Sequence, residues 1–450
     1  MRLSPVPLLG FTALALLAAD GKLAPFAAVK PILDSRRAQL PAELEKPDEA
    51  KWNSWARAQD KAIRARLEQG DLDSMVNLLL FGTSFTKQPR IRIENITEAS
   101  KAGTLRARVD DLVAGLRNPH GNERLDFLNS LLRGKGLNPG SASADTGVFI
   151  YSNLQRVLQE RAALAKRAAE AKHDTDSILD RSSLFRDRGV SLDTAILPDF
   201  ALEQTLRDLK TRGVLREGQV ARVAVVGPGL DFIDKNEESG YDYYPQQTVQ
   251  PFALYDSLLR LGLAPGRKLS IAILDISPRV IDHVQHARER ARKNQSYVIQ
   301  LPRDVDRPWP PALVDYWRAL GDQIGTSVPP VRPPELFKGL ETRAVRIRPD
   351  VVLASEPIDL NIVLERRDLS PSERYDLVVG TNIFVYYDPF QQSLALENIG
   401  AMLKPGGLLL TNDKLPEVPA GSMREAGITT VRYSEHDPTA IEAVGWYRKN

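Results

Sequence analysis

Two glycines directly follow a short apolar segment, at a place where a ligand can meet the protein backbone. The segment Val223–Val226 is apolar at every position, which is typical of a strand buried on both faces. Gly227 and Gly229 come next, and glycine leaves a turn open to close approach because it has no side chain. Glycine turns end many strands, so this pattern alone predicts a turn rather than a particular ligand.

A carboxylate stands at the end of the next apolar segment. Ile271–Leu274 is again apolar throughout, and Asp275 and Ile276 follow it. Open α/β sheets bind ligands beyond the carboxyl ends of their strands, and a carboxylate there accepts hydrogen bonds from both hydroxyls of a ribose. The alternative is that Asp275 caps the next helix, but Ser277 stands directly before Pro278 and suits that position better.

A dinucleotide-binding fingerprint is a competing interpretation of the glycine turn. It requires a further glycine where this chain has Phe232. It also requires an acid about 20 residues after the turn, whereas Asp275 lies 48 positions after Gly227. Both departures argue against a nicotinamide cofactor and against a nicotinamide-dependent oxidoreductase.

A third acidic position follows another apolar segment. Ile362–Leu364 predicts a strand, and the loop behind it contains Asp368 and Leu369. A loop acid can accept a hydrogen bond from an adenine amine, and a leucine beside it can cover the ring. The alternative is an aspartate on the protein surface.

The next strand predicted from the sequence is Leu377–Val379, which ends at Gly380, Thr381 and Asn382. A helix pattern and a Lys-Pro-Gly-Gly turn come after it, and then the apolar segment Leu408–Leu410. A glycine turn between a helix and a strand is a normal helix stop, so this part is structural by itself.

Strand and helix patterns alternate from residue 219 to residue 450, which predicts an α/β fold with a mostly parallel sheet covered on both faces. An insertion from about 294 to 359 interrupts the alternation. Eight prolines fall between Pro302 and Pro334, and they prevent long regular elements there. Tyr297–Leu301 and Val345–Leu353 are candidate strands of this insertion, which is either functional or a structural embellishment.

Residues 31–218 show helical periodicity without a strand pattern, which predicts an all-helical N-terminal domain. The stretch Leu154–Lys172 is rich in alanine, leucine, glutamate, lysine and arginine, which favour helices. Its basic residues indicate a solvated helix face rather than a nucleic-acid site. No motif in this region indicates what the domain binds.

The N-terminus resembles a secretory signal peptide at residues 1–19. Arg2 precedes an apolar run from Val6 to Ala19 that ends in small residues, as such signals do. We therefore expect an exported or periplasmic protein; without cleavage the segment would be a cytoplasmic helix. No other stretch is long and apolar enough to predict a membrane span.

The composition is that of a soluble globular protein, with 42% hydrophobic and 26% charged residues in 450 positions. The formal net charge of +2 gives no reason to expect a nucleic-acid partner. The absence of cysteine excludes disulfides, thiolate nucleophiles and cysteine-bound zinc. No histidine or carboxylate cluster has convincing metal-ligand spacing, so no metal is expected.

Taken in order, the glycine turn, Asp275, the strand at 375–379 and the Lys-Pro-Gly-Gly turn resemble the class I S-adenosylmethionine-dependent methyltransferases. The resemblance covers residues 223–410, and it implies a Rossmann-like seven-stranded sheet with S-adenosylmethionine as the cofactor. The stretch Tyr375–Leu410 is locally similar to chemotaxis-receptor methyltransferases. Their glycine loop differs from the one here, so their substrate is not carried over.

The resemblance implies a role for each site residue. Gly227 and Gly229 approach the amino-acid part of the cofactor, and Asp231, where the family often has a third glycine, contacts its amino group or alters binding. Asp275 is the ribose carboxylate, and Ile276, Asp368 and Leu369 contact the adenine. Gly380 and Thr381 form the strand end that faces the methyl group. The expected substrate positions are Asn382, Tyr386 and Tyr244, the last in a loop rich in acidic and aromatic residues.

Methyl transfer from a sulfonium proceeds by in-line displacement, and alignment supplies much of the acceleration. No catalytic base stands out, although Tyr386, Tyr387 and Asp388 lie nearer the expected site than the histidines do. The methyl acceptor is not indicated. The alternative function is an exported, non-catalytic binding protein that retains the fold, because S-adenosylmethionine is made in the cytosol.

Overall fold

The computed structural model describes residues 21–92, 95–140, 144–170, 196–232, 241–306, 308–335, 337, 339–418, 421–437 and 440–450. The predicted signal peptide lies outside these ranges and stays a prediction. Within them, none of the helices combines the length and the hydrophobicity needed to span a bilayer.

The N-terminal part is helical, as its periodicity predicts. Its longest helix has 33 residues and begins at Asp48, whose side chain accepts a hydrogen bond from the Lys51 amide and thereby caps it. The helices before the sheet are α1 (Phe26–Ser35), α2 (Glu49–Phe81), α3 (Ile96–Lys101), α4 (Thr104–Arg117), α5 (Glu123–Gly134), α6 (Asp145–Glu170) and α7 (Ile196–Thr211).

The C-terminal part is built on a seven-stranded sheet. Its strands in chain order are β2 (Arg222–Val226), β3 (Ser270–Asp275), β7 (Ser355–Asp359), β9 (Tyr375–Val379), β10 (Leu403–Thr411), β11 (Met423–Arg432) and β12 (Ile441–Lys449). The helices that cover it are α8 (Gln250–Arg260), α9 (Pro278–Arg292) and α12 (Pro389–Met402). A short pair, β1 (Lys22–Leu23) and β8 (Glu365–Arg366), joins the N-terminus to the sheet region.

The strand order across the sheet is β7-β3-β2-β9-β10-β12-β11. Numbered within the sheet, the first five strands therefore lie in the order 3-2-1-4-5, as in doubly wound dinucleotide-binding folds. These five pair in parallel, and β12 runs antiparallel to both of its neighbours. The predicted Rossmann-like seven-stranded sheet is confirmed. The order reverses between β2 and β9, where such sheets bind their ligands.

The third strand of the sheet lies earlier than the sequence predicts. Ile362–Leu364 forms a buried turn, and the strand is β7, whose register pairs Asp359 with Asp275. β7 is an edge strand, so its Pro357 is tolerated although proline donates no hydrogen bond. A short apolar run does not distinguish a buried turn from a strand, which explains the error.

The insertion forms a three-stranded antiparallel sheet in the order β4-β6-β5. Its elements are β4 (Tyr297–Asp304), α10 (Pro311–Ala319), β5 (Gly325–Val328), β6 (Leu340–Ile347) and α11 (Pro349–Leu353). The expected strand at Tyr297–Leu301 is confirmed within β4. The expected strand at Val345–Leu353 is wrong in its second half, because Pro349 occupies the first turn of α11.

The helices divide between two hydrophobic cores. The larger core joins the sheet to α1, to α7 and to the first half of α2, from Trp52 to Leu67. The smaller core packs the end of α2, from Met75 to Phe81, against α4, α5 and α6. The two cores therefore meet along α2, rather than at residue 218 where the sequence suggests a domain boundary.

Candidate functional site

The carboxyl ends of β2, β3, β7 and β9 lie side by side, and we call this border of the sheet the carboxyl edge. The register pairs Val226 with Leu274 and Val225 with Val379. The residues that follow these strands therefore meet at one place. Gly227, Gly229, Asp275, Ile276, Gly380 and Thr381, which were predicted to bind a cofactor, all lie at this edge.

The glycine turn requires glycine for two reasons. Gly227 and Gly229 have φ angles of 60° and 71°, in the left-handed region that side chains disfavour. In addition, a Cβ atom on Gly227 would lie 2.2 Å from Cδ1 of Ile383. The Gly227 amide donates to the Leu274 carbonyl at 2.9 Å, which fixes the turn against β3.

Asp275 has a buried carboxylate with one oxygen free. Its side chain is 4% exposed, and Oδ1 accepts a hydrogen bond from the Ser277 amide at 2.8 Å. Oδ2 has no hydrogen-bond partner among the residues that the structure describes. Burial raises the pKa of Asp275 to about 7, against the lowering effect of the Ser277 and Ile276 amides. A buried acceptor without a partner at a ligand-binding edge is what a ligand hydroxyl would satisfy.

Asp368 and Leu369 do not lie at the carboxyl edge, so their expected contact with adenine is not supported. The Asp368 side chain is 81% exposed and lies 3.5 Å from Lys22 Nζ. Leu369 lines a cavity beside Ser270 and Tyr375, the first residues of β3 and β9, at the opposite, amino edge of the sheet. The reason is that β7 ends at Asp359. The residues between Asp359 and Asp368 are enough for the chain to return to the amino edge.

Leu360 and Asn361 occupy the position that was assigned to Asp368 and Leu369. The Leu360 amide donates to the Asp275 carbonyl at 3.0 Å. The Asn361 side chain is fully buried, and its Nδ2 donates to Asp60 Oδ1 at 2.9 Å. The sequence signal was present in the Asp-Leu-Asn triplet at 359–361, but the misplaced third strand concealed it.

The end of β9 carries two polar side chains with different surroundings. Thr381 is buried, and its Oγ1 accepts a hydrogen bond from Gln250 Nε2 at 2.9 Å. Asn382 is exposed, has a φ angle of 57°, and is held by Asn412 through hydrogen bonds of 2.7 and 2.8 Å. Thr381 thus faces the protein interior and Asn382 faces solvent.

The Asp231 carboxylate is engaged within the protein. Its Oδ2 accepts hydrogen bonds from the Tyr244 hydroxyl at 2.6 Å and from Gln247 Nε2 at 3.0 Å. Burial raises the pKa of Asp231, and the Tyr244 hydrogen bond opposes the rise. The Tyr244 side chain is buried, so the two residues predicted to meet cofactor and substrate bind each other.

Tyr386 and Asp388 hold the chain between β9 and α12. The Tyr386 side chain is buried, and its carbonyl oxygen accepts a hydrogen bond from Arg66 Nη1 at 2.9 Å. Asp388 and Gln391 form a capping box at the start of α12. Asp388 therefore stabilises the start of α12.

Helix α2 crosses the carboxyl edge, a feature that the sequence did not predict. Arg64 Nη1 donates to the Ile276 carbonyl at 3.1 Å, and Nη2 lies 2.8 Å from Asp359 Oδ1. Asp60 and Arg66 add the contacts to Asn361 and Tyr386 described above. The helical part of the chain is thus fastened over the residues that follow β3, β7 and β9.

The site and the sheet together identify the fold. The glycine turn follows the first strand of the sheet, the buried acid follows the second, and Thr381 follows the fourth, beside the reversal of strand order. This is the arrangement that the sequence resemblance implies. The C-terminal part has a Rossmann-like seven-stranded sheet.

No protein-family model matches this chain, and no curated protein sequence matches it either. Solved structures with some likeness include the N-methyltransferase NodS from Bradyrhizobium japonicum WM9 with S-adenosyl-l-homocysteine, at 13% identity over 61% of this chain and 96% of NodS, with a TM-score of 0.27. Magnesium protoporphyrin IX methyltransferase from Synechocystis PCC 6803 with bound SAM matches at 11% identity over 60% of this chain and 91% of its own, with a TM-score of 0.25. Because these values are so low, the fold assignment rests on the strand order and the site.

Proposed function

We propose that the methyltransferase-fold part binds S-adenosylmethionine at the carboxyl edge and transfers its methyl group to an acceptor still to be identified. The observation that carries this proposal is that Oδ2 of Asp275 has no hydrogen-bond partner in the part of the chain that the structure describes. This oxygen belongs to a carboxylate that is 4% exposed, at the end of the strand beside β2. Leaving such a group buried without a partner costs stability, which a cofactor hydroxyl would restore.

The residues at the edge fit this cofactor. Asp275 would accept hydrogen bonds from the ribose, while Ile276 and Leu360, both buried apolar side chains that follow neighbouring strands, would flank the adenine. The left-handed turn at Gly227 and Gly229 exposes backbone to the amino-acid part. When bound, the cofactor supplies a methyl group already activated on a sulfonium, so the protein's own part is mainly to orient the two reactants.

Helix α2 contributes to the same site by excluding water. Arg64 joins the Ile276 carbonyl to Asp359, so it ties the loops after β3 and β7 together. Exclusion of water strengthens electrostatic interactions within a site and prevents side reactions. The proposed role of the helical part is therefore to close the cofactor site.

Calorimetric titration of the full chain with S-adenosylmethionine tests the proposal. We expect Asp275→Ala to weaken binding by about 10- to 150-fold, since a hydrogen bond to a charged group contributes about 1.5–3 kcal/mol. Asp368→Ala is the matched control, because this aspartate is exposed at the opposite edge, and its affinity should equal that of the unmodified chain. Undetectable binding by the unmodified chain, or equal binding by Asp275→Ala, would contradict the proposal.

A further inference from the structure

A second set of buried polar groups without partners lies outside the proposed cofactor residues. Asp199, in the first turn of α7, is 3% exposed, and neither of its carboxylate oxygens has a hydrogen-bond partner of good geometry among the described residues. Tyr316 of α10 is also 3% exposed, and its hydroxyl is likewise without a partner there. Roughly 90% or more of buried polar groups are hydrogen-bonded, so two exceptions close together indicate a place for a ligand.

Asp199 and Tyr316 lie near the end of β9. Gln250, which donates to Thr381 Oγ1 at 2.9 Å, also reaches Asp199 through a side-chain hydrogen bond outside ordinary geometry, which opposes the rise in the pKa of Asp199. Burial raises that pKa to about 8, and the charge of Asp199 in turn raises the pKa of Tyr316, after the larger effect of burial. We call Asp199, Gln250, Tyr316 and Thr381 the Asp199 cluster.

The surroundings of the Asp199 cluster suit a cation. The nearby Arg260 is bound by two other acids, Glu203 and Asp256, the latter at 3.2 Å. Phe200 packs between Tyr316 and Tyr433, with ring centroids 5.6 and 6.5 Å away, and aromatic rings attract cations. An ammonium would stabilise the ionised form of Asp199, which burial disfavours, whereas a neutral alcohol would not.

We propose that the Asp199 cluster binds the methyl acceptor, that the acceptor is an amine, and that Asp199 takes up its proton. This rests on the proposed methyl transfer at the neighbouring edge. The ammonium gives its proton to a carboxylate oxygen of Asp199, and the freed lone pair forms the new N–C bond to the methyl carbon. The C–S bond breaks with its electron pair left on sulfur, so the product is a neutral thioether, and the positive charge moves to the methylated nitrogen. Asp199 then releases its proton to solvent.

The test uses two probes that differ in one group, benzylamine and benzyl alcohol, titrated into the full chain with and without saturating S-adenosylhomocysteine. We expect benzylamine to bind at least about tenfold more tightly than the alcohol. Asp199→Asn should remove this preference and leave the affinity for S-adenosylhomocysteine unchanged. The melting temperature of Asp199→Asn should equal or exceed that of the unmodified chain. The amide keeps the shape of the side chain and cannot carry a buried charge.

Asp256→Asn is the matched control, because Asp256 is also a buried acid near Tyr316 but is paired with Arg260. It should keep the preference for the amine. Equal binding of both probes, no binding of either up to about 10 mM, or an undiminished preference in Asp199→Asn would overturn the proposal. Failure of S-adenosylhomocysteine to bind would instead contradict the proposed function, since the titrations without it report on Asp199 alone.

Discussion

Acidic residues at the two edges of the central sheet differ in whether their carboxylates have partners within the protein. At the amino edge, Asp376 accepts hydrogen bonds from the amides of Ala221 and Arg222, both at 2.9 Å, and lies 2.5 Å from Lys404 Nζ. At the carboxyl edge, Asp275 is buried, and its Oδ2 has no hydrogen-bond partner among the described residues; Asp199, near the end of β9, is buried with neither oxygen in a hydrogen bond of good geometry there. The acid at the amino edge therefore stabilises the fold, and the carboxyl edge carries acidic oxygens without partners among the residues that the structure describes.

This difference separates stability from binding. An acid whose partners are all within the protein stabilises the fold, and its removal leaves amides unsatisfied. An acid buried without partners destabilises the fold, and a ligand that completes its hydrogen bonds recovers the loss. Substitution of an acid at the amino edge should thus lower the stability of the fold, whereas substitution at the carboxyl edge should weaken ligand binding.

The largest difference between the two edges is expected when Asp376→Ala is compared with Asp275→Ala. Loss of two hydrogen bonds and one ion pair at a mostly buried carboxylate should lower the free energy of unfolding by about 2–4 kcal/mol. Urea unfolding measures this change, and S-adenosylmethionine titration of the folded variant should show unaltered affinity. Asp275→Ala is the counterpart: it should change the free energy of unfolding little and strongly lower the affinity for S-adenosylmethionine. If both variants lost the same stability, the contrast between the edges would be wrong.

A smaller difference in stability is expected between variants of the glycine turns at the two edges. Gly406, at the amino edge, has a φ angle of 77°, and a Cβ atom added there would have no neighbour within 4 Å among the described residues, whereas a Cβ atom on Gly227 meets Ile383. Gly406→Ala should cost about 1–2 kcal/mol for the left-handed backbone alone. Gly227→Ala should cost about 1–3 kcal/mol more, because it also overpacks the turn. Equal unfolding midpoints for the two variants would show that Ile383 moves aside freely.

The smallest effect is a pH dependence of cofactor binding. The pKa of Asp275 is about 7 in the folded chain, and ribose hydroxyls donate to its ionised form. Affinity for S-adenosylmethionine should therefore rise as pH rises, by about tenfold between pH 6 and pH 8. The stability of the free protein should change in the other direction, falling from about pH 4 to about pH 7, because the unfolded carboxyl ionises first.

Asp275→Asn provides the control for this pH dependence. It keeps the shape of the side chain but cannot ionise, so any remaining slope belongs to the cofactor or to other groups. Calorimetry at both pH values, for both chains, gives the difference. A slope that persists unchanged in Asp275→Asn would remove Asp275 as its origin.

Much of the fold was predictable because element type is encoded locally. The buried apolar runs at 223–226, 271–274 and 377–379 lie within observed strands. The glycine turn and Asp275 were found for the same reason, since each adjoins a strand whose end is marked in the sequence. Their placement at one edge followed from the parallel alternation of strands and helices.

The site residues that the sequence missed depend on tertiary contacts. Asp368 was chosen by its distance from a misplaced strand, and the true neighbour of Asp275 is the chain at Leu360 and Asn361. Arg64 lies 212 positions before the carbonyl that it binds, and no local pattern reports such a pairing. Asp199 likewise is one aspartate among many until the packing of α7 on α8 buries it.

The sequence by itself determined the α/β architecture and the residues at the first two strand ends, because hydrophobic periodicity and glycine turns act over a few neighbouring residues. Only the tertiary structure decided which acids are buried without partners, which loop reaches the carboxyl edge, and that α2 covers it. Burial and pairing of charges arise from contacts between segments far apart in the chain, and the free energy that sets the pKa of Asp275 exists only once those segments have packed.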